Sequence, residues 1–267
     1  MANIEVKNLH MEYDGGSGRH AALRGVDFSV NDGEFVSIIG SSGCGKSTLL
    51  NLLAGLIQPT EGEILIGGEK VKGTGRDRSV VFQHYSLFPW MNAKKNITFS
   101  LKQNGKNHKN SLRERADKYL KLVGLEDAGH KFPRELSGGM QQRVAIARAL
   151  ALDSRILLLD EPFGAVDARN RAILQKLLLD LWDSEERRKT VIFVTHDIDE
   201  AIFLSDKIIV MSSSHSRVRE QIPVMIPRPR NRDEIVRTPE YAAARNRIVH
   251  LFYDDLAEAI GGDEVVL

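Results

Sequence analysis

Gly40-Ser-Ser-Gly-Cys-Gly-Lys46-Ser47 is the stretch that decides the fold of this chain. It follows Glu34-Phe-Val-Ser-Ile-Ile39, an apolar run that predicts a buried strand, and it precedes Thr48-Leu-Leu-Asn-Leu-Leu-Ala54, which predicts a helix. A glycine-rich turn between a strand and a helix, ending in Lys-Ser, is the pattern of a phosphate-binding loop. The sequence therefore predicts that the chain binds a nucleotide.

The residue types of this loop fit that chemistry. Gly40, Gly43 and Gly45 allow backbone N–H groups to converge on an anion, and the helix that follows adds the positive end of its dipole. Lys46 is predicted to reach the β- and γ-phosphates, and the hydroxyl of Ser47 is predicted to hold Mg²⁺. The loop alone does not say what is done with the nucleotide.

Length and composition narrow the class of protein. A chain of 267 residues fits one domain with a sizeable insertion or tail, and 37 basic against 36 acidic residues give a net charge of +1. This balance argues against nucleic acid as the main partner. There is no signal-peptide pattern and no apolar run near the roughly 20 residues that cross a bilayer, so we expect a soluble chain. The single cysteine, Cys44, excludes an internal disulfide and fits a reducing compartment.

The N-terminal region predicts a small, mostly antiparallel sheet. Residues 4–10 and 23–30 alternate as strands, with a break at Tyr13-Asp-Gly-Gly, and residues 63–67 form another strand after the first helix. Tyr13 lies just upstream of the nucleotide-binding strand. Its ring either stacks on adenine or is an ordinary edge-strand tyrosine, and both interpretations stay open here.

Residues 84–134 are richer in polar residues and helix formers than their surroundings, which predicts an inserted helical subdomain after a strand at 79–82. Within it, a helix is expected over 93–102, a solvated loop over 104–110, and a helix that starts with the capping box Ser111-Leu-Arg-Glu114. The apolar cluster Leu87-Phe-Pro-Trp-Met91 has two interpretations. It packs the insert locally, or it forms a surface pocket for a partner helix.

A second anion site is predicted at Glu135-Leu-Ser-Gly-Gly-Met-Gln-Gln-Arg143, which opens a helix that runs to Leu150. Ser137 and the two glycines after it expose backbone N–H groups at the helix N-terminus. Two phosphate-seeking helix ends need not face the same nucleotide within one chain.

Two carboxylates end a buried strand in Arg155-Ile-Leu-Leu-Leu-Asp160-Glu161-Pro162. Open α/β sheets bind ligands at this edge, and charge is costly inside an apolar sheet, so both carboxylates are expected to face a cation or solvent. Asp160 suits the shell of Mg²⁺, and Glu161 suits accepting a proton from an attacking water. Pro162 is expected to hold Glu161 in an extended conformation.

His196 directly follows a predicted strand at 190–195, so we expect it at the same edge of the sheet as the two carboxylates. There it suits a hydrogen bond to a γ-phosphate or to the attacking water, and we favour this role over a purely structural one. Asp197 and Glu200 are predicted to cap the helix that follows. The last strand that the sequence predicts is at 207–211.

Two further helices are predicted from their apolar spacing. Asp167 is expected to cap a helix from Ala168, whose predicted buried face is Ile173, Leu177, Leu178 and Leu181. From Ser212 the chain is rich in Pro and Arg, and then apolar residues recur at helical spacing at Tyr241, Ile248, Leu251, Phe252, Leu256 and Ile260. We expect this last face to bury on the body of the protein, and contact with lipid headgroups is the less favoured alternative.

The combined motifs resemble the ATPase subunit of ATP-binding-cassette (ABC) transporters, in order and spacing over roughly residues 2–215. The motifs that carry the resemblance are Gly40 to Ser47, Gln83, Leu136-Ser-Gly-Gly-Met-Gln-Gln-Arg143, Ile156 to Glu161, Asp167 and His196. The resemblance implies an α/β fold: a P-loop NTPase core of the ABC type with an antiparallel β subdomain and an inserted α-helical subdomain. The ATPase domain would span residues 1–215, with the insert at about 84–143, and residues 216–267 would form a C-terminal extension with an amphipathic helix.

The resemblance also implies roles for single residues, with ATP and Mg²⁺ as the bound species. The catalytic residues would be Glu161 as general base, His196 as the γ-phosphate contact, Lys46 and Gln83. Mg²⁺ would be held by Ser47, Gln83 and Asp160. The nucleotide would be bound by Tyr13, Gly40, Ser41, Ser42, Gly43, Cys44, Gly45, Lys46, Ser47, Thr48, Gln83, Ser137, Gly138, Gly139, Gln141, Asp160, Asp167 and His196.

The partners that the resemblance implies are a second ATPase subunit, membrane permease subunits and, indirectly, a substrate-binding protein. In the family two subunits pair head to tail, so Ser137 to Gly139 of one copy would cap the γ-phosphate held by the loop of the other. This implies a homodimer at the cytoplasmic face of the cell membrane, with Leu87-Phe-Pro-Trp90 near a permease helix. The motifs are most similar to those of nitrate, taurine, aliphatic-sulfonate and bicarbonate importers, although the ATPase subunit does not touch the cargo.

Cys44 lies inside the loop, where a bulky adduct would occlude the phosphates. We therefore expect thiol modification to inhibit the protein and ATP to protect it.

Three other functions agree less well with the sequence. A cassette ATPase that acts on nucleic acid or the ribosome is the main alternative, but the coiled-coil insertion or second cassette of such proteins is not seen in the sequence. The Leu136 to Arg143 element argues against a phosphate-loop kinase or GTPase. Intact Lys46, Asp160, Glu161 and His196 argue against a non-catalytic regulatory subunit.

Overall fold

The computed structural model describes residues 2–15, 18–83, 86–103, 109–152, 154–164, 166–183, 188–212 and 216–260. The chain forms two compact units, one of residues 1–75 with 187–267 and one of residues 76–186. None of the helices in the described ranges is both long and apolar enough to cross a membrane.

The first unit begins with an antiparallel sheet, as predicted. Its strands lie in the order β2-β1-β4-β5, and they are β1 (Ile4–Gly15), β2 (Gly18–Val30), β4 (Glu61–Ile66) and β5 (Glu69–Lys70). Alternate residues of β2, namely Val26, Phe28 and Val30, are buried, which is the pattern of a sheet with one covered face. The predicted break at Tyr13 is wrong, because Tyr13 pairs with His20 and the hairpin continues to Gly15.

A second sheet in this unit carries the predicted phosphate-binding loop, Gly40 to Ser47. Its strands lie in the order β10-β9-β3-β8, and they are β3 (Phe35–Gly40), β8 (Thr190–Val194), β9 (Lys207–Ser212) and β10 (Arg217–Pro223). Strand β3 is buried throughout and pairs in parallel with β8 and β9, which explains its continuous apolar sequence. Strand β10 pairs antiparallel with β9 and was not predicted, since its sequence is mostly polar.

Four helices complete the first unit: α1 (Lys46–Ala54), α6 (Ile198–Leu204), α7 (Arg232–Ile235) and α8 (Pro239–Ile260). Helix α8 buries Tyr241, Ile248 and Leu251, as its apolar spacing predicts, so the tail packs on the body of its unit. Leu256 was predicted to be buried but is 51% exposed. The inward stripe passes instead through Asp255, whose buried carboxylate accepts a hydrogen bond from the Ser212 hydroxyl.

The second unit contains two parallel strands and the predicted helical insert. Its elements are β6 (Arg78–Val81), α2 (Ala93–Gln103), α3 (Lys109–Leu122), α4 (Gly138–Ala151), β7 (Ile156–Asp160) and α5 (Ala168–Asp183), with short 3₁₀ turns at Glu126–Ala128 and Pro133–Glu135. The insert has a core of its own, which includes Ile97, Leu101, Leu112, Ala116, Leu120, Val144 and Ala147. The insert therefore packs as a helical bundle around α2, α3 and α4.

Two details of these helices differ from prediction. Helix α3 begins at Lys109, so Ser111 lies within its first turn and is not the cap; of the predicted loop, residues 104–108 lie outside the described residues. In α5, Ile173 is 46% exposed, and the buried stripe is Leu174, Leu178 and Trp182. A leucine-rich helix presents two neighbouring apolar stripes, and its spacing alone does not decide which one faces the core.

Candidate functional site

The loop between β3 and α1 has the predicted strand–loop–helix geometry. Gly43 and Gly45 have φ angles of 83° and 96°, in the left-handed region that favours glycine. A Cβ on Gly45 would lie 2.5 Å from the carbonyl oxygen of Ala22, whereas a Cβ on Gly43 would meet no atom within 4 Å. Gly45 therefore permits close packing beneath the loop, and Gly43 faces open space in which a ligand can approach the backbone.

Lys46 holds its ammonium group against the loop. Its side chain is buried, and Nζ donates to the carbonyl oxygens of Gly40 at 2.8 Å and of Ser41 at 2.9 Å. Both acceptors are neutral, and within the described part of the chain no carboxylate pairs with this lysine. The positive charge is therefore available to an anionic ligand at the N-terminus of α1.

Cys44 lies beneath the loop and not on its surface. Its side chain is fully buried, and a Cβ on Gly40 would lie 2.6 Å from Cys44 Sγ. Burial raises the pKa of the Cys44 thiol, and the nearby Lys46 charge acts in the opposite direction. A buried, protonated thiol reacts slowly, so the predicted inhibition by thiol reagents depends on the loop opening.

His196 is exposed and lies between β8 and α6, where hydrogen bonds fix the chain on both sides of it. The Thr195 hydroxyl accepts from Asp197 N at 3.0 Å and donates to the Glu200 carboxylate, while Asp197 Oδ1 accepts from Glu200 N at 3.0 Å. The predicted Asp197 cap is confirmed. The Glu200 side chain, however, turns back to Thr195, a pairing that the sequence analysis missed.

Tyr13 is the remaining predicted site residue of the first unit. It lies on β1, and its side chain is 41% exposed. An exposed aromatic face is what stacking on adenine requires.

In the second unit, the two predicted carboxylates follow one another at the end of β7. Asp160 is the last residue of the strand, and Glu161 is partly buried with a φ of 42°. The prediction that Pro162 holds Glu161 extended is wrong, because Glu161 starts a turn in which Gly164 N donates to its carbonyl oxygen at 3.1 Å. Phe163 is buried and anchors this turn.

Helix α4 presents the second predicted anion site. Ser137 is its N-cap, and Ser137 Oγ accepts from Met140 N at 3.3 Å, while Gly138 and Gly139 form the first turn. Gln141 Nε2 donates to the carbonyl oxygen of Leu136 at 3.2 Å, which ties the first turn to the preceding residue. A capped helix of 14 residues supplies the N-terminal dipole and backbone donors that an anion needs.

Gln83 and Asp167 are the other predicted site residues of this unit. Gln83 is exposed and follows β6. Asp167 caps α5, as predicted, and its carboxylate accepts from Asn170 N at 3.1 Å and from Asn170 Nδ2 at 2.6 Å. These hydrogen bonds, chiefly that from the side chain, lower the pKa of the Asp167 carboxyl.

An aromatic patch, defined as Phe88, Trp90 and Phe99, lies on the surface of the insert. The Phe88 ring centroid lies 5.5 Å from that of Trp90 and 4.8 Å from that of Phe99. The Trp90 side chain is 69% exposed. This exposure supports the second interpretation of the apolar cluster, a surface for a partner, over local packing.

Two polar residues that the sequence analysis did not single out hold the aromatic patch in place. The fully buried Asn96 accepts from Phe88 N at 2.9 Å and donates to the carbonyl oxygen of Met91 at 3.0 Å. The guanidinium of Arg148 lies 5.4 Å from the Phe88 ring centroid and donates to the carbonyl oxygen of Ser86 at 2.7 Å. In the sequence, Asn96 could have been recognised as a polar residue on the apolar face of its predicted helix, beside Ala93 and Ile97.

These features are those of a phosphate-loop protein with an inserted helical subdomain, and comparisons with known proteins give its family. A family profile described as ABC transporter matches residues 23–164. The nitrate import ATP-binding protein NrtD of Synechococcus elongatus is 46% identical over 239 residues, which cover 88% of this chain and 86% of that protein. The bicarbonate transport ATP-binding protein CmpD of a Synechocystis species is 42% identical over 258 residues, which cover 96% of this chain and 91% of that protein.

A solved structure shows the same fold. The ATP-binding cassette MJ0796, in a dimeric post-hydrolysis state bound to ADP and Pi, aligns with a TM-score of 0.76 and 36% identity over 84% of this chain and 100% of that chain. The chain therefore belongs to the ABC transporter family. It is an ATPase of that family, and the α/β cassette fold and the family that the sequence predicted are both confirmed.

Proposed function

We propose that this ABC-family ATPase acts as the ATPase subunit of an importer at the cytoplasmic face of a membrane, for a small anion such as nitrate, a sulfonate or bicarbonate. The main structural support for ATP binding is the position of the Lys46 ammonium, which lies against the glycine-rich loop at the N-terminus of α1. Among the described residues, no carboxylate pairs with it. The names of the nitrate and bicarbonate import relatives support the class of cargo. The ATPase domain would span residues 1–215 and the extension residues 216–267.

The chain's own groups would divide the chemistry of hydrolysis. The loop N–H groups and Lys46 would hold the β- and γ-phosphates, and His196 would contact the γ-phosphate. Glu161 would accept the proton of the attacking water, with Gln83 near that water. Tyr13 would stack on adenine.

We propose Mg²⁺ as the metal ion that is bound together with the nucleotide. Among the described residues no three His, Cys, Asp or Glu side chains cluster as a metal site. Mg²⁺ is usually bound through one or two carboxylates together with substrate phosphates, so the oxygen atoms of Ser47, Gln83 and Asp160 are suitable ligands. When bound, the ion would neutralise charge on the phosphates.

A second copy of this chain would complete each site. Phosphoryl transfer needs positive charge and donors around the γ-phosphate, and the capped N-terminus at Ser137 is a second set of donors. The dimeric state of the related MJ0796 cassette supports this arrangement. We expect Ser137, Gly138, Gly139 and Gln141 of one copy, with Asp167 near the junction, to act on the nucleotide of the other.

Mixing two inactive variants tests the composite site. Lys46→Ala disables the loop, and Ser137→Arg blocks the helix N-terminus, so each variant alone has no complete site. In a mixed dimer, one site combines a normal loop with a normal Ser137, and we expect ATPase activity to return. Mixtures that stay inactive although the two chains associate would contradict shared sites.

A permease subunit is the partner that the aromatic patch would bind. Aromatic side chains that are exposed and held rigidly suit the apolar face of a helix. We expect Trp90→Ala to weaken co-purification with the permease, while Ile173→Ala, at an exposed apolar residue of α5, serves as the control. Equal co-purification of both variants would remove the aromatic patch from this role.

Anion-stimulated ATP hydrolysis by the assembled transporter, with its substrate-binding protein, would identify the cargo.

Glu161→Gln tests the catalytic assignment. The amide keeps the size of the side chain but cannot accept the proton, so we expect ATP binding to persist and hydrolysis to stop. Unchanged hydrolysis would exclude Glu161 as the base.

Activity of the wild-type chain on RNA or ribosomes, with none in membranes, would favour the alternative of a cassette that acts on nucleic acid.

A further inference from the structure

Helix α6, which begins two residues after His196, is held by the C-terminal part of the chain. Asp199, in the first turn of α6, accepts a hydrogen bond from the Tyr241 hydroxyl at 2.7 Å and from Arg245 Nε at 3.2 Å. Tyr241 and Arg245 lie one turn apart on α8, so both point to the same carboxylate. The N-terminal end of α6 is thus fixed from outside its own segment.

The C-terminal end of α6 is held by arginines that precede α8. Arg230 Nη1 donates to the carbonyl oxygens of Ile202, Phe203 and Ser205 at 3.0, 3.1 and 2.7 Å. Arg228 Nη2 donates to the carbonyl oxygen of Leu204 at 2.6 Å. These are the carbonyl groups that a helix end leaves without intrahelical donors, and cationic donors are favoured there.

A helix as short as α6 depends on such contacts. It has seven residues, fewer than an isolated helix needs to be stable in water. Its first residues are joined to the His196 turn by the hydrogen bonds among Thr195, Asp197 and Glu200. A shift of α6 would therefore shift the backbone that carries His196.

We infer that residues 228–245, here named the C-terminal brace, position His196 for its action on the γ-phosphate, with Tyr241 and Arg245 as positioning residues. The inference rests on the proposed role of His196 in hydrolysis. The brace acts through α6 and does not contact the nucleotide. Its loss affects the rate of the chemical step more than the affinity for ATP.

Helix α8 offers a matched control for this experiment. Arg247 lies on the same helix as Arg245 but pairs with Glu220 of β10, at 3.0 Å from Arg247 Nε to Glu220 Oε1, and not with α6. Tyr241→Phe removes only the hydroxyl that reaches Asp199, and Arg245→Gln removes the charged donor. Arg247→Gln removes another ion pair whose arginine is similarly exposed. Thermal unfolding of each variant checks that the chain remains folded.

Steady-state ATP hydrolysis provides the first test. In the double variant Tyr241→Phe/Arg245→Gln we expect kcat to fall about tenfold with KM for ATP unchanged, because small displacements of a catalytic group cost rate and not binding. Arg247→Gln should keep the wild-type kcat. The inference would be overturned if Arg247→Gln lowered kcat as much as the double variant does. It would also be overturned if the double variant raised KM for ATP and left kcat unchanged.

A spectroscopic test does not depend on activity. The Cε1–H signal of His196, assigned by comparison with His196→Gln in ¹³C-histidine-labelled protein, reports the surroundings of the imidazole. We expect the double variant to shift or broaden this signal and Arg247→Gln to leave it unchanged. An unchanged His196 signal in the double variant would refute the brace. If the signal moves in the double variant but the wild-type chain has no ATPase activity, the proposed function is refuted and the brace is not.

Discussion

Two glycines with nearly equal φ angles make it possible to measure the conformational strain of the phosphate loop separately from its effect on ligand binding. Gly43 in the loop has a φ of 83°, and Gly68 in the turn between β4 and β5 has a φ of 86°. A Cβ on either residue would meet no atom within 4 Å. We predict that Gly43→Ala and Gly68→Ala lower the free energy of unfolding by the same amount, and that only Gly43→Ala weakens ATP binding.

The size of the effect follows from the backbone. A left-handed conformation costs a residue with a Cβ about 1–2 kcal/mol, and alanine recovers about 0.4–1 kcal/mol because it restricts the unfolded chain. Each variant should therefore lose about 1 kcal/mol of stability. Gly45→Ala should lose more, since its Cβ would also lie 2.5 Å from the carbonyl oxygen of Ala22 and 2.6 Å from Leu23 Cδ2.

Urea unfolding without nucleotide and titration with a fluorescent ATP analogue measure the two quantities separately. We expect Gly43→Ala to lose at least about tenfold in affinity, since its methyl group would occupy space at the converging N–H groups and a loss of about 1.4 kcal/mol suffices. Gly68→Ala should bind as the wild type does. Wild-type affinity in Gly43→Ala would refute the reasoning about the loop, and unequal stabilities of the two variants would refute the reasoning about strain.

Three further outcomes are expected. Maleimide should label Cys44 slowly in the native chain and rapidly in urea, because Cys44 is buried and burial raises the pKa of its thiol. ATP should slow the labelling of the native chain further. Fast labelling of the native chain would contradict the buried position. Burial and the Asp199 hydrogen bond raise the pKa of Tyr241 from its ordinary value of 10.0 to about 12, so its contribution to stability is complete below pH 10 and is lost as pH rises towards 12. Urea unfolding across that range should show a steeper loss in the wild type than in Tyr241→Phe, and parallel curves would be inconsistent with this shift. Asn96→Ala should loosen the loop that carries Phe88, which limited proteolysis at 86–92 would detect; resistance equal to that of the wild type would argue against the role of Asn96.

Several features that are set by neighbours in the sequence were predicted correctly. The phosphate loop, the helix start at Ser137, the caps at Asp167 and Asp197, and the buried strands all depend on residues a few positions apart, so a local sequence pattern is enough to predict them. The order and spacing of these motifs also led to the family. The assigned roles of the site residues stay predictions, because each depends on a nucleotide and a second subunit.

Features set by distant contacts were not predictable. The hydrogen bond between Tyr241 and Asp199 joins residues 42 positions apart, and the pairing that makes β10 a strand follows from β9 and not from its own polar sequence. Helix spacing likewise placed Ile173 inside, although the buried stripe of α5 is Leu174, Leu178 and Trp182. In each case tertiary packing chose between alternatives that local preference leaves equal.

Glu161 shows how a local rule fails at a site where the chain keeps a strained conformation. A residue before proline prefers an extended backbone, yet Glu161 has a φ of 42°. Such a conformation costs about 1–3 kcal/mol and persists only where the surrounding structure over-determines it. Here the hydrogen bond from Gly164 N and the buried Phe163 ring close the turn. Because a glycine at this position would adopt the same φ at lower cost, the presence of a carboxylate there agrees with a chemical role for the side chain, namely that of the proposed general base.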